Sequence, residues 1–386
     1  MVEQHKVCKG AGHALLLLMI LNFSTGVYTS DKTKAQGRLD SSRKISRLAF
    51  ASCYHQDKNS SIFKAIKSYA PDVFLWTGDA VYHTSGHNAT TLERTFKDQF
   101  DRPEYKAFRE NTDPKPYIDG TWDDHDYGVN DAGKALQEKS YRQHLFLNFL
   151  EIPPDSKRRS RTGTYSTFTF GPNGNKVRFI LLDTRTFRDS HVIPSVGGIP
   201  WLHPIGAVIA CMTRFFSSVF GLDADYNGDI LGEEQWRWLE QVLNETVKHS
   251  NDIKFNIIVS SIQVFSSNPL FEGWTHFPRA RSRLLDIISR HRPKGLLFLS
   301  GDVHFGEFLG LDNDEYGGLM EVTSSGLTHT CTTPFLYGFA CPYILHKFQN
   351  HRTSENFYFT DKNFGTIDFD WEANIVSVSV RDENGE

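Results

Sequence analysis

Little in this 386-residue sequence supports a fold held by covalent staples, a membrane span or a nucleic-acid surface. Five cysteines occur, and setting aside Cys8 near the N-terminus leaves Cys53, Cys211, Cys331 and Cys341, too few for a disulfide scaffold. Of these, Cys331 and Cys341 are close enough in sequence to close a short loop in an oxidising compartment. The apolar run Ala14–Leu21 is much shorter than the roughly 20 residues needed to span a bilayer. The net charge of −4 lacks the basic excess that a nucleic acid or an anionic membrane surface would favour, so a small-molecule or ester substrate fits better. There is no internal repeat, no interdomain linker, no signal of oligomeric state and no Gly-x-Ser-x-Gly elbow of the serine esterases.

The N-terminus does carry a pattern. Lys6 and Lys9 precede the apolar run, and small residues follow at Ser24, Thr25 and Gly26, which reads as a secretory signal over residues 1–30. Residues 31–44 are basic and polar without apolar periodicity and are expected to form a flexible leader. One domain is expected over 45–386, with the protein secreted or held in the lumen of the secretory pathway. The sequons at Asn59, Asn88 and Asn244 are compatible with that route as glycosylation sites.

From Ile45 onward, apolar segments alternate with helical ones. Strands are expected over Arg47–Ser52, Asp72–Thr77 and Pro116–Thr121, with helices over Ser60–Tyr69, Thr91–Glu110 and Ala132–Leu150. A hairpin of Thr164–Phe170 and Val177–Leu182 follows, then the helices Glu233–Val247 and Ser282–His291 among the strands Phe255–Ser260 and Leu296–Ser300. This alternation predicts an α/β fold with a parallel or mixed sheet. The tail segments Gly318–Thr323, Gly365–Phe369 and Ile375–Val380 read as half-exposed antiparallel strands. Residues 191–229 are too long for an ordinary connection and are expected to be an insertion near the site, with Ile205–Met212 as a packed amphipathic turn.

The chemistry gathers where the strands end, which is where ligands bind in open α/β sheets. The first strand runs into Cys53, the second into Gly78-Asp79-Ala80-Val81-Tyr82, the third into Asp123-Asp124-His125-Asp126, a later one into Asp183-Thr184-Arg185, and another into Gly301-Asp302-Val303-His304. A single Asp after a strand is usually a turn former or a helix cap. Several on consecutive strands repel one another unless cations hold them together. Asp79, Asp124, Asp302 and His304 therefore predict a metal cradle. Cys53 and Tyr82 add a thiolate and a phenolate, which favour iron, while the carboxylates suit calcium, magnesium or manganese. His55 is expected at the surface or behind a ligand.

These motifs, with Leu231-Gly232-Glu233-Glu234-Gln235-Trp236-Arg237-Trp238-Leu239, resemble those of the alkaline phosphatase D (PhoD-like) family, in order from about residue 47 to 380. The resemblance implies a four-layer α/β/β/α metallophosphoesterase sandwich with mixed sheets. It also implies a centre of two or more metals, iron plus calcium or other divalent ions. Cys53, Asp79, Tyr82, Asp124, Asp302 and His304 would be the ligands, with Asp79 bridging, and Asp123, Asn130 and Asp183 would be further ligands or their supports. Where the wider superfamily usually has Gly-Asn-His, this chain has Asp123-Asp124-His125, and the added negative charge leaves room for calcium.

The implied reaction is hydrolysis of phosphate mono- or diesters by a metal-bound hydroxide attacking in line. His125 is the candidate to protonate the leaving group or hold a phosphoryl oxygen. Arg185 would either clamp the phosphoryl group or pair with a neighbouring carboxylate such as Asp183. The competing reading is a secreted calcium- or carbohydrate-binding protein that keeps the phosphatase fold, but such a module needs neither His125, His304 nor Tyr82.

Overall fold

The computed structural model describes residues 40–83, 88–199, 205–249, 251–311, 318–333, 338–348, 351–353 and 358–386. The expected signal segment and most of the expected leader lie outside them. Residues 40–44 of that leader are fixed to the fold: Arg43 donates to Asp72 at 2.7 Å, and the Ser41 carbonyl accepts from the Gly171 N–H.

In chain order the elements begin β1 (Arg47–Ala51), α1 (Ile62–Tyr69), β2 (Val73–Thr77), α2 (Ala89–Phe100), α3 (Pro103–Asn111), β3 (Tyr117–Thr121), α4 (Asp124–Tyr127), α5 (Lys139–Phe149), β4 (Ser166–Phe170) and β5 (Lys176–Leu181). They continue α6 (Ile205–Val219), α7 (Gly232–Lys248), β6 (Ile253–Val259), α8 (Pro278–His291), β7 (Leu296–Ser300), β8 (Gly306–Leu311), β9 (Leu319–Ser324), α9 (Cys341–Phe348), β10 (Tyr358–Phe359), β11 (Asn363–Asp370) and β12 (Ile375–Asp382).

Two mixed sheets result. The first runs β12-β11-β1-β2-β3, with β1, β2 and β3 parallel; the second runs β10-β8-β9-β7-β6-β5-β4, with β5, β6, β7 and β9 parallel. Their facing sides share one core, in which Leu48, Phe50, Val73 and Leu75 meet Phe179, Ile257, Leu299 and Val322. On the outer side of the first sheet, Trp76 and Phe74 pack against Phe63, Phe96, Phe108 and Phe146 of α1, α2, α3 and α5. On the outer side of the second, Ile180, Ile258 and Phe298 pack against Trp236, Leu239 and Leu243 of α7 and Leu284 and Ile288 of α8. The expected four-layer α/β/β/α sandwich is the observed one. Strands covered on both faces need apolar residues at every position, and β2 is accordingly buried throughout as Val-Phe-Leu-Trp-Thr.

Several elements differ from expectation. Thr91–Glu110 is two helices, because Pro103 has no N–H to continue α2 and starts α3 instead. The helix expected from Ala132 begins at Lys139. Gly133 lies so close to the Arg188 backbone that a Cβ there would sit 2.4 Å from its carbonyl oxygen, and Lys134 N–H bonds that carbonyl rather than a helical partner. The tail strand β11 is almost entirely buried, not half exposed, because it pairs between β1 and β12 under the first sheet's helices. β9 pairs in parallel with β7 as well as antiparallel with β8. The turn expected at Ile205–Met212 is the first half of the 15-residue helix α6. Among the described residues no helix is long and apolar enough to cross a membrane.

Candidate metal centre

The carboxyl ends of β1, β2, β3 and β7 open on one spot. Each of the loops leaving β1, β2 and β7 turns through the left-handed region at a non-glycine residue: φ is 60° at Cys53, 47° at Asp79, 72° at Asp302 and 63° at His304. Such backbone costs about 1–3 kcal/mol per residue and persists where the surroundings enforce it, commonly at functional sites. Gly78, at φ 107°, makes the turn ahead of Asp79, and a Cβ there would come within 2.6 Å of the Asp123 Cβ.

The turns bring the predicted ligands together. Ligand atoms of Cys53, Asp79 and His304 lie within 4.8 Å of one another, as do those of Asp79, Asp123, Asp124 and Asp302, and those of Asp79, Asp124 and His125. Asp79 alone belongs to all three sets. Tyr82 Oη is 2.8 Å from His304 Nε2, which places the phenol at the sulfur end of the cluster. Cys53 Sγ is 3.7 Å from Asp79 Oδ2 and 3.0 Å from Ser325 Oγ, and Ser325 Oγ accepts from the His304 N–H. Ser325 of the strand-end run Thr323-Ser324-Ser325-Gly326 thus lines the cluster.

The electrostatics are those of a cation site. Burial, and next the carboxylates of Asp124, Asp123, Asp126 and Asp302, push Asp79 well above the ordinary carboxylate range. Burial, then Asp123, does the same to Asp302. Burial followed by the Asp79 charge raises both the Cys53 thiol and the Tyr82 phenol. Cations among these side chains reverse each of those shifts. Two buried oxygens, Asp123 Oδ2 and Asp124 Oδ1, accept no hydrogen bond, a loss of about 1–3 kcal/mol apiece unless another partner binds them. The donor set of thiol, phenol, imidazole and carboxylates fits a metal centre.

The remaining expected site residues fall in different places. His125 is the second residue of the short helix α4; its ring stacks on Tyr82 at 4.2 Å and its N–H donates to Asp79 Oδ1 at 3.2 Å. Arg185 is fully buried and pairs not with the Asp183 side chain but with Asp123 Oδ1 at 2.6 Å and Glu272 Oε1 at 2.8 Å. Asp183 is outside the cluster, its carboxylate accepting from the backbone N–H groups of Thr164, Arg185 and Thr186. Asn130 packs against Gly197 of the insertion.

The sequence reading missed a second tier. Asp131 N–H donates to Asp124 Oδ2 at 2.7 Å, and Arg214 of α6 grips the Asp131 carboxylate at 3.0 and 3.1 Å. Glu272 ties Arg185 to Arg188. His329 packs edge-on against Tyr82 and His304. None of these lies at a predicted strand end, so no local signal marked them.

Two facing mixed sheets with an acidic, thiol- and phenol-bearing cluster at their strand ends define an α/β sandwich built around a metal site. The chain belongs to the PhoD-like phosphatase family, whose model matches residues 48–380. Alkaline phosphatase D of Bacillus subtilis (strain 168) is 24% identical over 298 residues, which covers 67% of this chain and 45% of that protein. The chain therefore spans less than half the length of this curated relative. The solved structure of PhoD superposes with a TM-score of 0.53 at 16% identity, covering 89% of this chain and 71% of that one, a likeness of fold. A dimetal phosphatase from Danio rerio superposes at a TM-score of 0.49 and 14% identity over 88% of this chain and 97% of its own.

Proposed function

We propose that the protein hydrolyses phosphate mono- or diesters with a metal centre of two or more ions. The observation that carries this reading is the convergence of Cys53, Asp79, Tyr82, Asp124, Asp302 and His304 on one buried spot. Iron suits the end with Cys53, Tyr82 and His304, and calcium or another hard divalent ion suits the end with Asp123, Asp124 and Asp302. Asp79, shared by both sets, would be a ligand common to ions held at the two ends. Bound cations supply charge neutralisation at the phosphoryl oxygens and a water acidic enough to attack near neutral pH.

The chain's own groups do the rest. His125, partly exposed and stacked on Tyr82, reaches the leaving-group side and gives it a proton. Arg185 is too deeply buried to clamp a substrate, and its pairing with Asp123 gives it a positioning role instead. Asp183, by holding the turn that carries Arg185, supports that pairing. The exposed sequons Asn59, Asn88 and Asn244 and the bond between Cys331 and Cys341 support a secreted or lumenal protein with carbohydrate at those positions.

A chromogenic phosphate ester tests the reading. The purified protein turns it over, and His125→Ala lowers kcat by about 10²–10⁴-fold with metal content unchanged by elemental analysis. Full kcat in His125→Ala removes the proposed proton donor.

A further inference from the structure

Asp131 joins the strand-end cluster to a neighbouring stretch of chain. Its backbone lies in the left-handed region at φ 57°, which few residues other than glycine, asparagine and aspartate adopt, and each of its polar atoms is engaged. The N–H donates to Asp124 Oδ2 at 2.7 Å, and the carbonyl accepts from Arg188 Nη1 at 3.0 Å. Arg214 Nη1 donates to the two carboxylate oxygens at 3.0 and 3.1 Å, and Ser195 Oγ donates to Oδ2. The guanidinium is itself fixed, its Nε donating to the Leu270 carbonyl at 3.0 Å. Arg188, Ser195 and Arg214 thus hold Asp131 from one segment, 188–214, and Asp131 passes that hold to Asp124.

The consequence falls on one end of the cluster. With Oδ2 taken by the Asp131 N–H, Asp124 Oδ1 is left buried without a hydrogen-bond partner. Asp123 is fixed in a similar way: Arg185 Nε and Ser261 Oγ both donate to Oδ1 at 2.6 Å, and Oδ2 is left over. At the other end, the side chains of Cys53, Tyr82 and His304 bond to Ser325, Asp79, the Asp302 carbonyl and one another. None of those partners belongs to 188–214. Asp131, His191 and Glu272 also stand close enough together to hold an ion, but Arg185, Arg188 and Arg214 already pair with the two carboxylates of that group, so its charge is met by guanidinium.

We infer that Arg214 is a positioning residue for the metal centre, which acts through Asp131 to set how tightly the Asp123, Asp124 and Asp302 end holds a hard divalent cation such as calcium. Arg214 touches no proposed ligand itself. A carboxylate with one oxygen pinned presents the other in a fixed direction, whereas a loose carboxylate must be ordered when the ion binds. The inference rests on the metal-centre reading of the cluster and not on the reaction proposed for it.

The test uses the full protein, purified without chelator and then freed of calcium with a calcium-selective chelator. Wild type is compared with Arg214→Gln and with the double variant Asp131→Asn, Arg214→Gln, which removes both charges and leaves neither buried alone. A cooperative thermal transition checks folding, so that the double variant decides the matter if the single one does not fold. Calorimetric titration with calcium chloride gives the affinity of one end, and elemental analysis of the same samples gives the iron kept at the other. The folded variants are expected to bind calcium about 10–100-fold more weakly than wild type, with iron content unchanged. Calcium affinity equal to wild type overturns the inference, and so does loss of iron in step with calcium. A wild type that takes up no calcium overturns it together with the proposed calcium end. If the variants lose calcium selectively while the wild type hydrolyses no ester, the inference stands and the hydrolytic reading fails.

Discussion

The metal cradle and helix α6 follow opposite rules. Around the cradle, β2 and β7 bury apolar side chains along their length and release donors at their ends, as Val-Phe-Leu-Trp-Thr does before Asp79. Helix α6 turns its small and polar side inward, burying Gly206, Ala210, Arg214 and Ser217, and leaves Ile205, Val208, Ile209, Met212, Phe216 and Val219 exposed. The reason lies beneath the helix. It covers a loop whose Asp131 carboxylate needs a cation, and Arg214 supplies it. The comparison teaches that burial follows the chemistry of the neighbour, so that a helix set over a charged loop reverses the usual amphipathic order.

This contrast can be broken at several points. Arg214→Met fits the helix but leaves Asp131 buried and unpaired, so a loss of about 3–5 kcal/mol is expected in denaturant unfolding; a change under 1 kcal/mol would show that α6 is not anchored through that pair.

A smaller effect is expected in the second sheet, at a carboxyl with no cationic partner among the described residues. Burial pushes Glu321 up from 4.5 to about 7, against the Val264 and Phe265 N–H bonds that draw it down. The folded state then holds a proton that the unfolded chain releases. Its contribution is complete below about pH 4.5 and declines as pH rises toward 7. Unfolding of Glu321→Gln across that range should show a shallower fall of stability with pH than wild type, and identical slopes would argue against a proton held there. The smallest effect belongs to Phe216→Ser, on the exposed face of α6, which should stay within about 0.5 kcal/mol of wild type. A large loss would mean that this face is covered in the folded molecule.

The same contrast explains what could be read from sequence. The parallel strands β1, β2 and β7 were legible to within about a residue because both faces are buried and the apolar run is continuous, and Cys53, Asp79, Asp124 and Asp302 were legible because they follow such runs. Pro103 marked the break between α2 and α3 and was passed over in favour of a single helix. β8 was not legible: its Gly-Glu-Phe-Leu-Gly-Leu run places a fully buried Glu307 against Arg352, 45 residues away, and no local pattern announces a partner that distant. Glu272, Asp131, Arg214 and His329 were missed for the same reason, since each acquires its role from a neighbour that only the fold supplies.

The central claim is that the strand-end cluster holds metal through a shared Asp79. Elemental analysis of protein purified without chelator, wild type beside Asp79→Ala, tests it most directly. The account predicts two or more metal ions per chain in the wild type, iron among them, and loss of metal from both ends of the cluster in the variant. A wild type that binds no metal, or an Asp79→Ala protein that keeps its full complement, would contradict it.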